Sequence, residues 1–506
     1  MGLAATGSAV LRGTQLPVGE AAVGVSGSDT RILTKTSSVS DAARMYRTAA
    51  LLAILHAGFS IILWKLGLLR CYGRWSDFWQ ILDYRFLQDD LLQNLWYLHG
   101  QPPLYNLYLG TLFQVFSPDV RIYVGANIVL AASTVAMVYV LARWMEIGTV
   151  MRRVLMLVVI LHPALYVYEH YELYSVFTAF LIVLSITALA WWSRSQSRSA
   201  LFLSLLGLAL LIGSRSMYQL PLLLLPLSVL LLQPAAKTRR LTLVACALAC
   251  VVVSGLYVKN SLQFGFFGTS SWYGISMYKV VNGGYHTEAK DMQAAEHCVT
   301  AHAAFSRPSV YRSCGFSEET AIPVLNQDDQ NNVNVPDISR AYFSAAKSRV
   351  LADPAAALVH VGEMAVLWFM PSSLPQSWAP EPWKSPAFSA YEARFYGVLG
   401  GRYLLKPFGV HSYLMLSYLI VVLLFLYRVT GIVRRWRSGR ITEKEFIILL
   451  AVFLVGYNFV ISSIGEYGEN NRFKFDVEFL FLLVAFESIE YGWNELKSQL
   501  HRRSAP

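Results

Sequence analysis

Residues 120–142 read VRIYVGANIVLAASTVAMVYVLA and carry one charged side chain, Arg121. An apolar helix of about 20 residues is long enough to cross the hydrocarbon core of a bilayer. Further apolar runs of this kind occur at residues 48–69, 153–168, 175–192, 200–214, 219–232, 241–258, 411–427, 445–463 and 476–493. The sequence therefore predicts an all-α polytopic membrane protein.

The amino-acid composition agrees with this fold class. Hydrophobic residues make up 55% of the 506 residues and charged residues only 15%, whereas soluble globular proteins have about 25% charged residues. This balance excludes disordered chains, collagens and small disulfide-rich scaffolds. The formal net charge of +10 is spread over short loops and forms no concentrated basic face, so we expect no nucleic-acid partner.

The positions of the basic residues assign each loop to one side of the membrane. Arginine and lysine collect before the first apolar run and after the second, fourth, sixth and eighth, and such enrichment is typical of cytoplasmic loops. This assignment requires that the ambiguous run at 356–372 does not cross the membrane, and instead forms an interfacial or re-entrant helix. If it crossed, the arginines near residue 435 would face outward against the positive-inside rule.

The chain then divides into five regions. We predict a disordered cytoplasmic tail (1–43), an N-terminal transmembrane module (44–258) whose first outer loop is 70–119, an extracytoplasmic loop domain (259–410), C-terminal transmembrane helices (411–493) and a cytoplasmic tail (494–506). Cys298 and Cys314 share the large outer loop, where a disulfide suits an oxidising compartment; two free thiols are the alternative.

The polar residues that topology does not account for fall on the outer side. Ionisable residues at a membrane edge are costly unless they pair or face a cavity, so we expect residues from separate loops to line one outward-facing polar cavity. Single members of this set could instead be structural: Arg215 could extend toward water from its span, and the aromatic residues could form an interfacial belt. The set consists of Asp77, Asp83, Asp89, Asp90, His99, Tyr105, Glu169, His170, Arg215, Lys259, Trp272, Glu469, Asn471 and Arg472.

These residue types suit the transfer of a sugar from a lipid-phosphate carrier. A carboxylate acts as general base on a hydroxyl, and arginine and lysine bind a phosphate leaving group. Aromatic faces suit sugar rings, and a lipid tail on the donor accounts for a site at the membrane edge. A divalent metal is compatible with these oxygen ligands, but no ligand spacing demands one, and no other cofactor is indicated.

Four stretches of the chain resemble the GT-C superfamily of integral-membrane glycosyltransferases, of the bacterial protein O-mannosyltransferase and aminoarabinose-transferase type. They are the loop with Asp77 and Asp83, HGQPPLYNLYLG at 99–110, HPALYVYE at 162–169, and GENNRFKF at 468–475. The resemblance implies a bundle of about ten to eleven transmembrane helices with interfacial helices in the first outer loop. It also implies an inverting transfer from a polyprenyl-phosphate sugar, at the periplasmic or exterior face of the bacterial inner membrane.

The resemblance suggests roles for the candidate residues. The resemblance implies that a first-loop acidic residue serves as general base or orients the acceptor, and this residue corresponds best to Asp83 or Asp77. An adjacent acidic pair is common in the family, but here the pair is Asp89 and Asp90, nearer the PPLY element. We expect the donor phosphate to contact Arg215, Lys259 and Arg472. Contacts to the sugar or to a glycan, lipid or protein acceptor are expected from His99, Tyr105, Glu169, His170, Trp272, Glu469 and Asn471.

Two other functions use similar residues. A transporter or flippase of lipid-linked sugars places its binding groups near the bilayer midplane and often has internal repeats, neither of which this sequence shows. A lipid-linked glycan polymerase or ligase differs only in transferring a glycan chain, and the sequence does not separate it from the glycosyltransferase.

Overall fold

The computed structural model describes residues 29–75, 80–232, 239–284, 320–326, 331–373, 384–399, 410–437 and 441–504. Residues 1–47 and 48–506 form two compact units. Cys298, Cys314 and most of the predicted N-terminal tail lie outside the described residues. Of the first unit, the structure describes the beginning of helix α1.

The described residues form helices joined by short connections, which confirms the all-α prediction. Their helices are α1 (Asp29–Lys65), α2 (Tyr84–Gln88), α3 (Leu91–Trp96), α4 (Leu104–Phe116), α5 (Val120–Trp144), α6 (Thr149–Ile160), α7 (Pro163–His170), α8 (Ser175–Ser195), α9 (Arg198–Ile212), α10 (Leu225–Leu232), α11 (Arg239–Phe264), α12 (Tyr273–Val281), α13 (Val335–Ala352), α14 (Pro354–Trp368), α15 (Pro386–Leu399), α16 (Val410–Arg437), α17 (Glu443–Gly465), α18 (Asn470–Phe475) and α19 (Glu478–Ser504). Within this described part, pairing of extended backbone is limited to one isolated bridge between Leu69 and Lys384.

Six described helices have the length and hydropathy of a membrane crossing, so the chain is a multi-pass membrane protein. They are Ser40–Lys65, Val120–Trp144, Thr149–His170, Ser175–Ser195, Arg239–Phe264 and Glu443–Gly465. The apolar run at 200–214 forms the shorter helix α9. The run at 219–232 begins as a 3-10 turn, Leu220–Leu224, because Pro221 and Pro226 each lack the N–H that a continuous helix needs.

Helices α13 and α14 form a bent pair. Their axes meet at 112° across a break at Asp353, and together they are either a broken span or a re-entrant loop. Asp353 caps α14 by accepting a hydrogen bond from the Ala356 N–H at 3.0 Å, and Pro354 occupies the first position of that helix. Proline favours a helix start and disfavours continuation of the preceding helix, which accounts for the bend. That the ambiguous run does not cross the membrane stays a prediction.

Helix α12 packs closely on α13 and thereby fixes one wall of the site described below. A Cβ at Gly274 would overlap the carbonyl oxygen of Ser339, so a larger residue at 274 would force the two helices apart. The Gly274 N–H also donates to the Ser339 hydroxyl at 2.9 Å. A small apolar core around Ile275, Tyr278 and Tyr342 holds the pair together.

Candidate functional site at one end of the helix bundle

A cavity of about 580 Å³ lies where several helices end. Its walls come from the beginning of α8, the turn after α9, the segment between α11 and α12, one face of α13, and the turn that joins α17 to α18. We call it the polar cavity. The residues that bear on its chemistry are Gln80, Gln101, Tyr174, Arg215, Thr269, Trp272, Lys279, Glu466, Glu469 and Arg472.

Arg215 is the first of two buried guanidinium groups at the polar cavity. It is 1% exposed, and its Nη1 donates to the carboxylate of Asp476. Its Cζ lies 4.0 Å from the ring centre of Phe473 and 4.8 Å from that of Tyr174. Its Nε and Nη2 have no hydrogen-bond partner among the described residues, so this cation has donors available for a ligand.

Arg472 is the second buried guanidinium group, and it contacts the same aromatic ring. It is 1% exposed, forms an ion pair with Glu469, and lies 5.2 Å from the ring centre of Phe473. Burial acts to lower the pKa of Arg472, but Glu469 and nearby tyrosines outweigh it and raise the pKa. The group is therefore a permanent cation. Its Nε and Nη1 lack a hydrogen-bond partner within the described part of the chain.

Unsatisfied buried donors of this kind are unusual and indicate an anion site. Leaving a buried donor without an acceptor costs about 1–3 kcal/mol, and more for a charged group. A guanidinium group offers N–H donors in a planar fork that matches phosphate oxygens. Arg215 and Arg472, which both line the polar cavity, together have four such nitrogen atoms.

Two carboxylates also line the polar cavity, Glu466 and Glu469. Burial raises the pKa of Glu466, the charge of Glu469 raises it further, and Lys279 and Arg472 act in the opposite direction. A raised pKa makes a carboxylate a stronger base, which suits it to accept a proton. Glu466 lies two residues before the GENNRFKF stretch at 468–475 and is not among the predicted site residues, and Lys279 lies on an apolar helix, α12, where no pattern in the sequence points to it.

The first-loop aspartates occupy different surroundings. Asp83 caps helix α2, accepting from the Arg85 backbone N–H at 3.0 Å and from its guanidinium at 3.1 Å. Asp89 and Asp90 are exposed, and Asp90 has a left-handed backbone with φ of 48°. Asp83, Asp89 and Asp90 are not among the lining residues of the polar cavity. Asp77 lies outside the described residues, so its role stays a prediction.

Lys259 and His99 lie behind the cavity wall and hold a loop in place. The Lys259 ammonium donates to the carbonyl oxygen of Leu98 at 2.6 Å. Nδ1 of His99 is 2.9 Å from the Ser271 hydroxyl, and its ring is fully buried. Burial, with the charge of Lys259, lowers the pKa of His99 to about 3, so the imidazole is neutral. Neither residue is among those lining the cavity, although the sequence predicts a substrate contact for both.

Four other predicted contact residues are buried outside the lining of the polar cavity. Glu169 accepts a hydrogen bond from the Ser60 hydroxyl and lies 2.6 Å from Nε2 of His56, so both of its carboxylate oxygens have partners within the bundle. Hydrogen bonds hold the other three residues. Tyr105 Oη lies 3.4 Å from Tyr123 Oη, His170 Nδ1 lies 2.9 Å from the Tyr166 carbonyl oxygen, and Asn471 Nδ2 donates to the Pro371 carbonyl oxygen at 3.0 Å.

The structure thus brings together Arg215, Trp272, Glu469 and Arg472 from the predicted set. The described residues contain no group of three or more histidine, cysteine, aspartate or glutamate side chains placed to hold a metal ion. A role for a divalent metal stays a prediction.

The comparisons with known proteins find a likeness among solved structures alone. No family model matches the chain, and no curated protein matches it. Among solved structures it is similar to ArnT from Cupriavidus metallidurans bound to undecaprenyl phosphate, with a TM-score of 0.32 and 13% sequence identity, over 86% of this chain and 77% of that chain. Because a likeness of this size is weak, we infer function only from this chain's own residues.

Proposed function

We propose that this chain is a membrane glycosyltransferase that takes its sugar from a polyprenyl-phosphate carrier and transfers it to an acceptor hydroxyl. The observation that carries the proposal is the pair of buried guanidinium groups, Arg215 and Arg472, with unsatisfied donors at the wall of the polar cavity. A phosphate group satisfies those donors. A lipid-linked phosphate is the form of that group that reaches a cavity at the end of membrane-spanning helices.

The charges at the other end of the bundle support an extracytoplasmic cavity. The ends of α8 and α16 that lie away from the polar cavity are basic, and ion pairs join them to the start of α17, Arg194 with Glu443 at 3.6 Å and Arg435 with Glu445. Cytoplasmic loops of membrane proteins are enriched in arginine and lysine. The polar cavity then faces the periplasm or the exterior, where lipid-linked sugars are presented.

The chemical step in this proposal is an inverting displacement at the anomeric carbon. The acceptor oxygen forms a bond to that carbon as the bond to the phosphate oxygen breaks, and polyprenyl phosphate leaves. Arg215 and Arg472 stabilise the charge that develops on the leaving phosphate. Glu466 accepts the hydroxyl proton, because it lines the polar cavity and its pKa is raised. The first-loop aspartates are the alternative base.

Binding and transfer assays on purified protein test this proposal. Polyprenyl phosphate should bind the wild type, and Arg215→Lys or Arg472→Lys should weaken binding about tenfold, since lysine keeps the charge but loses the fork. Arg340→Lys is the matched control, because Arg340 lines the same cavity but is exposed and paired with Asp337. Equal affinity in all four proteins would refute the phosphate site.

The identity of the base is tested by single-turnover transfer with a panel of labelled polyprenyl-phosphate sugars. Glu466→Gln should abolish transfer and leave binding of polyprenyl phosphate unchanged. Asp83→Asn and Asp77→Asn are the matching variants in the first loop. Loss of transfer in one of these two, with full activity in Glu466→Gln, would assign the base to the first loop instead.

A further inference from the structure

Two chain segments run side by side along the wall of the polar cavity. The Ser271 N–H donates to the carbonyl oxygen of His99 at 2.9 Å, and the Ser270 hydroxyl donates to the carbonyl oxygen of Gly100 at 2.5 Å. From the first contact to the second, the residue number rises in one segment (99 to 100) and falls in the other (271 to 270), so the two segments run in opposite directions at these contacts. Gln101 and Thr269 come next along these two segments, and both line the polar cavity.

The loop that carries Gln101 is fixed by side chains from distant parts of the sequence. Asn331 accepts the N–H groups of His99 at 2.8 Å and Gly100 at 3.2 Å. Lys259 donates to the carbonyl oxygen of Leu98 at 2.6 Å. A site on a segment held from several sides is preorganised, because its geometry does not depend on the ligand.

Gln101 and Thr269 each have a buried oxygen atom without a hydrogen-bond partner in the described part of the chain. The atoms are Oε1 of Gln101 and Oγ1 of Thr269, and both residues line the polar cavity. The hydroxyls between them are already used, Ser270 by Gly100 and the Trp272 N–H, and Ser271 by His99. Buried polar atoms normally have partners, so an unpartnered pair at a cavity wall points to a ligand.

We propose that Gln101 and Thr269 form a subsite for the hydroxyl groups of a neutral sugar, which makes them specificity-determining residues. The inference rests on the proposed function, because the sugar is the group that the phosphate site delivers. An amide oxygen accepts a hydrogen bond and a threonine hydroxyl both donates and accepts, which matches a sugar hydroxyl. The segments 99–101 and 269–271 carry amide, hydroxyl and neutral imidazole side chains and no charged ones.

The test compares the binding of polyprenyl phosphate, with and without an attached sugar, in four proteins. Polyprenyl phosphate and a panel of polyprenyl-phosphate hexoses and pentoses are titrated against the wild type, Gln101→Met, Thr269→Val and Ser216→Ala. The first two variants keep approximate side-chain size while removing the oxygen. Ser216→Ala is the control, because it removes a hydroxyl from another part of the lining.

We expect the wild type and Ser216→Ala to bind one sugar-linked ligand more tightly than polyprenyl phosphate alone. In Gln101→Met and Thr269→Val this preference should fall about tenfold, while the affinity for polyprenyl phosphate stays at the wild-type value. A wild-type preference in both variants would overturn the subsite, and so would an equal loss of affinity for both ligands. Failure of the wild type to bind polyprenyl phosphate would overturn the proposed function, and the subsite with it.

Discussion

The contact between Arg215 and Asp476 yields the sharpest prediction on stability. Asp476 is fully buried and accepts from Arg215, from the Tyr218 hydroxyl at 2.8 Å and from the Thr178 hydroxyl at 2.9 Å. Asp476→Asn keeps an acceptor oxygen but removes the charge that compensates the buried guanidinium. Breaking a buried ion pair on one side costs about 3–5 kcal/mol.

Because asparagine retains part of the hydrogen bonding, we expect the lower end, about 3 kcal/mol, which is roughly a hundredfold in the unfolding equilibrium. Thr178→Val removes one neutral donor to the same carboxylate and should cost about 1 kcal/mol. The assay is SDS-titrated unfolding in mixed micelles, followed by tryptophan fluorescence.

Added polyprenyl phosphate should narrow the difference in stability between the two variants. A ligand that binds only the folded protein stabilises it by an amount that rises with the logarithm of its affinity. In Asp476→Asn the phosphate of the ligand replaces the negative charge that compensates Arg215 in the wild type. The ligand should therefore stabilise Asp476→Asn more than it stabilises the wild type. A variant Asp476→Asn that is as stable as Thr178→Val, and no more responsive to the ligand, would refute this account of the pair.

Three further predictions concern other residues of the bundle. Arg472→Lys should raise KM for the donor about tenfold and also lower kcat, because its fork binds the donor phosphate and stabilises the charge that develops on it as it leaves; unchanged kcat and KM would contradict this role. The rate of transfer should fall as the pH drops through the pKa of Glu466, which is raised above the usual value of about 4.3, because a base must be unprotonated. Glu466→Gln should lack this acidic limb of the pH–rate profile. If the acidic limb remains in Glu466→Gln, the base is another residue. Glu169→Gln should destabilise the protein by about 1–3 kcal/mol, because glutamine replaces one of the carboxylate oxygens that contact His56 and Ser60, and it should leave the affinity for polyprenyl phosphate unchanged. Weaker binding at unchanged stability would contradict this structural role.

Apolar runs are enough to predict the fold class, because a membrane-spanning helix must be apolar along its length. The lengths of individual helices are less predictable. The run at 219–232 is apolar throughout, yet its two prolines break it into a 3-10 turn and a short helix. The bend between α13 and α14 depends on the cap at Asp353, a local feature that hydropathy does not report.

The candidate site is predictable where a charge lies between apolar segments and has no local partner. Arg215 meets this criterion and lies in the cavity lining; Arg472 lies there too, although Glu469 three residues before it is a local partner. Glu169 also meets the criterion, but its carboxylate contacts His56, 113 positions away in the sequence, and such a contact is not visible in the chain order. Gln101 and Thr269 are not predictable in this way, because a neutral side chain is ordinary at any position of a loop; their importance depends on which hydrogen bonds the fold leaves unmade.

The short helix α18 sets the spacing of the whole anion site. Its six buried residues include Arg472 and Phe473, and Asp476 follows at its end. About one turn of chain thus supplies three groups of the site. They are the cation Arg472, the ring of Phe473, which both arginines contact, and Asp476, which is the counter-ion of Arg215. Inserting a single residue between Arg472 and Asp476 would rotate one relative to the other by about 100° in a helix. The length of this segment should therefore be as intolerant of change as the identity of its residues.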